Sequence, residues 1–415
     1  MIDSNFIKEK ADYCLNCKAK PCSTKGCPLN NNIPAFINEI KEEKIENAFE
    51  ILIETTILPA ICGRICPHYK QCMGSCVRGI KGNPVNIGEL EAFVGDRAIK
   101  EGYKIEKRNK CSKKVAIIGG GPAGLTSAVF LAREGNDVTI YEKYNYLGGL
   151  LIHGIPDFRL PKEIVKQSIE KILELGIKVE YNKELGKNLD FDELENYDNI
   201  ILAYGANISS KLKIDGEDLQ GVYGANELLE YNSHPNYEGK VVVVNGGGNV
   251  AMDTARTVKR LGAKRVIVTY RRAKEQMPAE EKEIQDAINE GIEFLFQHNI
   301  VRIIGKSKVE GIEVIKTKLI KKEGENRLSP VDIENSNYEI NADYIVTAIG
   351  SHPQEMINKL GLKTDRKGYI EVNEKGQTSN PKIYAIGDLA GNIATVAWAA
   401  RSGRDVAKII NKIDS

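Results

Sequence analysis

From residue 114 onward the chain alternates short apolar runs with segments whose apolar residues recur every three or four positions, the pattern of strands and helices in turn. The run Val115–Ile118 is followed by a glycine-rich turn, a helical stretch over 125–134 and a second apolar run over 138–141. That succession is a βαβ unit. It recurs as a strand over 241–244, a helix over 250–261 and a strand over 266–270, and two later strand-to-glycine transitions follow at 346–350 and 383–388. The alternation predicts an α/β fold. Ahead of it the texture is helical. Phe36, Ile37, Ile40, Ile45, Ala48, Phe49 and Leu52 predict one amphipathic helix running from Ile33 through Ile51, and 84–99 predicts another. Loops rich in cysteine and glycine lie between them, and the charged stretch 104–114 reads as a linker.

A chain of 415 residues has room for two or three domains. Its net charge of +1, with 28% charged residues, gives no electrostatic case for nucleic acid or an acidic membrane surface. The first residues lack an apolar signal core and no long apolar run follows, so a soluble, cytoplasmic protein is expected. The cysteines change the picture. Eight of the nine precede residue 80, as Cys14, Cys17, Cys22, Cys27 and then Cys62, Cys66, Cys72, Cys76. In a reducing compartment such thiols are metal ligands or catalytic groups rather than disulfides. Zinc and iron–sulfur clusters both remain open, although only Cys14 and Cys17 have the short spacing common in zinc sites.

Two glycine turns carry further chemistry. Gly119, Gly121 and Gly124, with Pro122 and Ala123 between the last two, fit G-x-G-x-x-G between a strand and a helix. The first glycine permits a tight turn, the second admits a pyrophosphate to the backbone, and the third allows close helix–strand packing. Glu142 ends the next strand, where a carboxylate can accept from ribose hydroxyls. The second turn, Gly246, Gly248, Asn249, Val250 and Ala251, is the G-x-G-x-x-A variant. Its strand ends in Arg271 and Arg272, guanidiniums that can pair with a 2′-phosphate, which favours NADPH over NADH. The plainer reading of those two arginines is a solvated charge pair.

The segment Val115–Leu125, the Gly-Gly-Leu-Leu of 148–151 and the Gly-Ile-Pro-x-x-Arg-Leu-Pro-Lys of 154–162 resemble the small (beta) subunit of bacterial NADPH-dependent glutamate synthase. Gly246–Asp253, Tyr270–Arg272, Met277-Pro278-Ala279, Ala385–Asp388 and 394–404 are similar to it as well, so the resemblance spans essentially the whole chain. The same module occurs in dihydropyrimidine dehydrogenase and in the large subunit of the electron-bifurcating NADH-dependent ferredoxin:NADP oxidoreductase. The resemblance implies a helical iron–sulfur domain (1–111) followed by two Rossmann-like domains. The FAD-binding domain would be discontinuous (112–237 and 351–415), with an NADPH-binding domain (238–350) inserted. FAD would lie on the first turn, with Gly149, Leu150, Arg159, Gly387, Asp388, Thr395 and Val396 around it. A helix N-cap is the plainer role for Asp388.

For the cysteines the resemblance implies two 4Fe–4S clusters. Cys14, Cys17, Cys22 and Cys76 would ligate one, and Cys27, Cys66, Cys72 and Glu91 the other, with Glu89 as the alternative carboxylate. Cys62 and Cys111 match no ligand position and are expected to be buried small residues. The Cys22–Cys27 spacing is one residue longer than in dihydropyrimidine dehydrogenase. The implied activity is electron input: NADPH to FAD to the clusters to a partner, either the glutamate synthase large subunit or a small flavoprotein subunit. A stand-alone disulfide reductase is excluded, since no cysteine lies within 148–159 or after Cys111.

Overall fold

Buried apolar stripes draw the N-terminal helices together. The computed structural model describes residues 4–108, 110–321, 327–354, 360–391 and 393–412. It begins with α1 (Ser4–Asp12), α2 (Ile33–Lys41), α3 (Ile45–Ile53), α4 (Pro59–Ile65) and α5 (Ile87–Glu101). Phe36, Ile37 and Ile40 of α2, Ala48, Phe49 and Leu52 of α3, and Leu90, Phe93 and Val94 of α5 share one core. The single helix expected over 33–51 is therefore two. Glu43 takes a left-handed conformation (φ 59°), its N–H reaches Ile40 O (3.0 Å), and Lys44 N–H reaches Glu39 O (2.8 Å). This is a Schellman end in which glutamate stands where glycine is usual, so no residue type announces the break. The later helix starts at Ile87 rather than Pro84, because Asn86 caps it and accepts from Glu89 N–H.

The first α/β region follows as β1 (Lys114–Ile118), α6 (Pro122–Arg133), β2 (Asp137–Glu142), α7 (Leu150–His153), α8 (Lys162–Leu173), β3 (Lys178–Tyr181) and β4 (Asn199–Leu202). The chain then passes through β5 (Ile208–Ser209), β6 (Val222–Gly224), α9 (Ala225–Tyr231), β7 (Val241–Asn245), α10 (Asn249–Arg260), β8 (Arg265–Tyr270), α11 (Glu281–Asn289) and β9 (Glu293–Phe296). After these come β10 (His298–Gly305), β11 (Val309–Ile320), β12 (Ser329–Asp332), β13 (Tyr338–Asn341), β14 (Tyr344–Thr347) and β15 (Ser351–His352). It closes with β16 (Ile383–Ala385) and α12 (Val396–Ile410).

Two compact units result. The first comprises Met1–Ile152, Asp157–Ala206 and Pro353–Ser415, and the second His153–Pro156 and Asn207–His352. In the first, a parallel sheet has the order β16-β4-β1-β2-β3, so a strand from the end of the chain completes a sheet begun near residue 114. The α/β fold with a discontinuous first domain and an inserted second one is thus as expected. The inserted unit begins ahead of residue 238, because β6 pairs in parallel with β14 and belongs to its sheet.

The second unit's sheet, β6-β14-β7-β8-β9, is also parallel. Its valines explain their own continuity. Val242, Val244, Val266 and Val268 face the helices α9–α11, while Val243 and Ile267 face an antiparallel layer of β10–β13 carrying Ile300, Ile303, Ile312 and Val314. A strand covered on both faces needs apolar residues at every position. No helix among the described residues is long and apolar enough to cross a membrane.

Candidate functional site

The first turn grows directly from β1. Gly119 has φ +107°, and its N–H reaches Tyr141 O at 2.8 Å. A Cβ on Gly120 would stand 2.2 Å from Leu147, and one on Gly124 would stand 2.0 Å from Gly119 O. Gly121 differs: the nearest atom to its would-be Cβ is Gly149 Cα, 3.9 Å away. Open space therefore faces the backbone at the start of α6, with Pro122 and Ala123 in its first turn. A helix N-terminus beside such space is suited to a phosphate. Glu142 is buried, and its carboxylate accepts from Gly120 N–H (2.8 Å) and Tyr144 N–H (3.0 Å). Burial raises its pKa above the usual carboxylate value, against those two donors.

Across the gap Gly149 (φ +52°) precedes Leu150, the first residue of α7. Arg159 lies half-buried between α7 and α8 in sequence. Gly387 follows β16 with φ +66°, its would-be Cβ 3.1 Å from Ala123 and its N–H bonded to Ser402 Oγ (2.9 Å). Burial pushes the Asp388 carboxyl up to about 6. Asp388 caps neither its own short turn nor α12. Ile386 precedes its short turn, and α12 is capped by Thr395, whose side chain accepts from Trp398 N–H, with Val396 next. Helices α12 and α6 touch where Ser127 Oγ donates to Gly403 O (3.0 Å).

The second turn repeats this construction. Gly246 N–H reaches Thr269 O (3.0 Å), a Cβ on Gly247 would stand 2.5 Å from the Tyr270 ring, and Gly248 faces open space, with Pro278 3.9 Å away. Asn249 opens α10 and accepts from Glu280 N–H (2.9 Å). Val250 is exposed and Ala251 buried. Arg272 donates to Leu328 O (3.1 Å), and burial together with the guanidiniums of Arg327 and Arg271 holds its pKa below the usual arginine value. Arg327 donates to the Tyr270 hydroxyl (2.9 Å) and to Gln276 O (2.6 Å). Three guanidiniums gathered at one strand end form a place for a multiply charged anion. Arg327 lies 55 residues beyond Arg272 in sequence and carries no local motif, so only the packing of the segment before β12 reveals it.

The cysteines fall into two sets. Cys14, Cys17, Cys22 and Cys76 line one small pocket, with Leu15, Val77 and Arg78 at its wall. Burial, against a hydrogen bond from Ser23, pushes Cys22 up to about 11, and the thiols of Cys76 and Cys14 add to it. In the second set burial, and then Glu91, push Cys27 up to about 12. Burial and Glu91 also hold Cys72 well above the usual thiol value. Cys66 is raised first by its hydrogen bond with Cys62, then by burial. Glu91 is itself buried, raised well above the carboxylate range by burial and by Cys62, and receives a bond from Asn31 Nδ2 (3.2 Å). Glu89 points elsewhere, paired with Lys10 (2.5 Å). Among the described residues no three His, Cys, Asp or Glu side chains converge on one point as a single metal ion needs.

Two local devices bring these thiols together. Residues Cys22–Gly26 form a π-helical turn closed by Cys27 N–H to Cys22 O (2.8 Å), which brings Cys27 back beside Cys22. A Cβ on Gly26 would stand 2.7 Å from Gln71 O and 2.8 Å from Cys72 Cα, so glycine lets the first loop lie against the second. Cys62 is buried as expected, yet it borders the second set and also lies 3.7 Å from Thr56 Oγ1. Cys111 is apart and, against expectation, only half-buried, because it lies outside the helical core and its thiol reaches Asn411 O (3.9 Å) near the end of α12. Sequence reasoning also passed over Arg401 and Arg404 of α12, which donate to Pro28 O (3.1 Å) and Leu29 O (2.6 Å), immediately after Cys27.

Comparison with known proteins gives the family. Residues 113–403 match the pyridine nucleotide-disulphide oxidoreductase family, and residues 1–103 match dihydropyrimidine dehydrogenase domain II, 4Fe-4S cluster. The glutamate synthase NADPH small chain of Escherichia coli (strain K12) is 35% identical, over 96% of this chain and 90% of that one. That of Halomonas elongata is 36% identical, over 98% and 90%. Among solved structures, Mycobacterium tuberculosis FprA in complex with NADPH superposes with a TM-score of 0.65 at 22% identity, covering 73% of this chain and 84% of that one, a likeness of fold.

Proposed function

Because this chain belongs to the pyridine nucleotide-disulphide oxidoreductase family and, within it, to the glutamate synthase small chains, we propose that it is the electron-input subunit of a two-protein enzyme. The chain is a flavin- and iron–sulfur-dependent oxidoreductase. NADPH is the donor, two 4Fe–4S clusters carry electrons outward, and the partner is a large subunit that makes glutamate from glutamine and 2-oxoglutarate. Bound FAD would supply the exchange between a two-electron donor and one-electron centres.

The chain's own residues bind and position. Gly121, Pro122, Ala123 and Gly124 hold the flavin nucleotide's pyrophosphate at the start of α6, and Glu142 holds its ribose. Gly149, Leu150, Arg159, Gly387 and Asp388 line its path, and Thr395 and Val396 direct helix N–H groups toward the ring, where they favour negative charge. Gly246, Gly248, Asn249, Val250 and Ala251 hold the nicotinamide nucleotide, with Arg271, Arg272 and Arg327 on its 2′-phosphate. Cys14, Cys17, Cys22 and Cys76 hold one cluster, and Cys27, Cys66, Cys72 and Glu91 the other. The cluster domain is 1–111, the flavin domain lies on both sides of the insert, and the nicotinamide domain is Asn207–His352.

The observation that carries this reading is the placement of both thiol sets in the same compact unit as the first turn, keyed to α12 by Arg401 and Arg404. An anaerobic absorbance spectrum tests it. Flavin bands with a shoulder near about 400 nm, bleached by NADPH, are expected from thiolate-bound iron. Cys17→Ala should lower iron content and leave flavin reduction by NADPH intact. A colourless protein, or full iron content in that variant, refutes the assignment.

A further inference from the structure

The surface around the first thiol set has a charge that the whole chain does not. No aspartate or glutamate lies between Asp12 and Glu39, nor between Glu54 and Glu89, and these are the two segments that carry the eight early cysteines. Over the same segments Lys18, Lys25 and Lys81 are exposed. The acids that flank the face are Asp12 and Glu89, and Glu89 is tied to Lys10. In a chain of net charge +1, this is a local concentration of positive charge.

The face also exposes apolar side chains. Leu15 is 50% exposed and Ile80 76%, with Tyr13 and Val77 exposed beside them. They are contiguous. Leu15 and Val77 wall the pocket ringed by Cys14, Cys17, Cys22 and Cys76, and Ile80 closes the short turn begun by Val77. Arg78 stacks over the Tyr13 ring (4.2 Å) and donates to Tyr13 O (2.9 Å), which joins the two segments into one surface. An apolar centre with a charged rim is the anatomy of a protein-binding patch.

We propose that this face is the docking site for the redox partner of the electron-input function, which meets it with an acidic surface and takes one electron at a time. The inference rests on the electron-input reading above, because electrons leaving through the first thiol set must leave next to this patch. Lys18 and Lys81, next in sequence to Cys17 and Ile80, and Lys25, between Cys22 and Cys27, steer an acidic partner and set its approach, and the apolar centre holds it long enough for transfer. Contact at Leu15 and Val77 brings the partner's redox centre against the wall of the cysteine pocket, the shortest route out.

Flavodoxin, an acidic one-electron carrier, is the probe, with basic cytochrome c as its opposite. Each NADPH supplies two electrons and one proton. With one further proton from solvent, two flavodoxins each take one electron and one proton and turn to their blue reduced form. With the holoenzyme under anaerobic conditions, kcat/KM for flavodoxin should fall at least about tenfold between low salt and about 0.5 M salt, as rim charges are screened. The triple variant Lys18→Glu, Lys25→Glu, Lys81→Glu should lose a similar factor at low salt and should reduce cytochrome c faster than the parent does. Its iron content, its shoulder near about 400 nm and its NADPH-driven reduction of neutral menadione should be unchanged.

Flavodoxin reduction indifferent to both salt and charge reversal, with those spectral features intact, overturns the docking site alone. A dimer of the holoenzyme that the three substitutions dissociate assigns the face to a second copy and overturns it too. A holoenzyme without the shoulder removes the electron-input reading, and the docking site with it.

Discussion

The two glycine turns share a skeleton and differ at one strand end. Gly119 and Gly246 have positive φ, and the residue after each, Gly120 or Gly247, is pressed against a side chain, Leu147 or the Tyr270 ring. A returning loop donates to the carbonyl of that pressed glycine, Gly148 N–H to Gly120 O (2.8 Å) and Ala279 N–H to Gly247 O (3.1 Å). Gly121 and Gly248 look onto open space. On the proposed reading this skeleton would take a pyrophosphate in either turn, and selection would lie in what ends the second strand. Glu142 folds back onto Gly120 and accepts from its N–H, and a carboxylate there would repel a 2′-phosphate. Tyr270 instead turns its hydroxyl to Gln276 O (2.7 Å), and three arginines gather beyond it. On the proposed reading one backbone would thus serve two nucleotides through the charge of a few side chains.

The sharpest break of this comparison is at the sixth position, glycine in the first turn and alanine in the second. Gly124→Ala places a methyl group 2.0 Å from Gly119 O, backbone that has no rotamer to change. A cost of about 3 kcal/mol is expected, with loss of bound flavin, because overpacking there displaces the turn itself. Flavin content and thermal unfolding measure it. A variant purified with full flavin and parental stability breaks the equivalence of close packing with function in the first turn.

The acid side of the comparison can be titrated. Asp388 has a folded-state pKa of about 6, raised by burial, so the folded protein holds this proton more tightly than the unfolded chain does. Stability from this group is therefore full below the unfolded value and is lost as pH rises through about 6, a penalty of about 3 kcal/mol at neutral pH. In flavin-stripped protein, Asp388→Asn should be more stable than the parent at pH 7 and equal to it below about pH 4. Denaturant midpoints across that range measure the difference, and a gap independent of pH would exclude Asp388 as the titrating group.

These contrasts also show what a sequence carries. Both βαβ units were legible because strand, turn and helix are local and the glycines mark a backbone constraint. The placement of Glu142, Arg271 and Arg272 at strand ends was legible because the pattern locates those strands. Arg327 was not, since it reaches the site from a distant segment that only tertiary packing brings near. The helix break at Glu43 was silent because a glutamate occupies a position that usually advertises itself with glycine. The antiparallel layer β10–β13 was hidden for another reason: its apolar residues make sense only against Val243 and Ile267 of the neighbouring sheet. In the cysteine region, spacing announced a metal-binding domain. The π-turn at Cys22–Gly26 and the approach of Gly26 to Cys72 needed coordinates.

On the basic side, Arg327→Ala tests the residue that no motif predicts. It removes one charged donor from a set of three, so NADPH should bind about tenfold more weakly, as loss of one charge-assisted hydrogen bond implies. NADH lacks the 2′-phosphate and should be unaffected. Titration calorimetry with both nucleotides reads the ratio, and an equal loss for the two would mean that Arg327 supports the fold through Tyr270 and Gln276 rather than the phosphate.

The smallest effect belongs to Ala251→Gly, the mirror of the first substitution. Ala251 is fully buried in the third position of α10, and its methyl group joins the core with Met252 and Val268. Removing it costs helix propensity and one buried methyl, together about 1.5 kcal/mol. No contact with nucleotide is lost, so affinity for NADPH should stay within about twofold while the unfolding midpoint drops, the difference being too small for a lost charge-assisted bond. Set beside Gly124→Ala, the pair separates two uses of one sequence position. In the first turn glycine is imposed by the carbonyl of Gly119, and in the second the methyl group is part of the core. A loss of nucleotide affinity in Ala251→Gly as large as the loss of flavin in Gly124→Ala would mean that both turns depend on this position to shape the phosphate site.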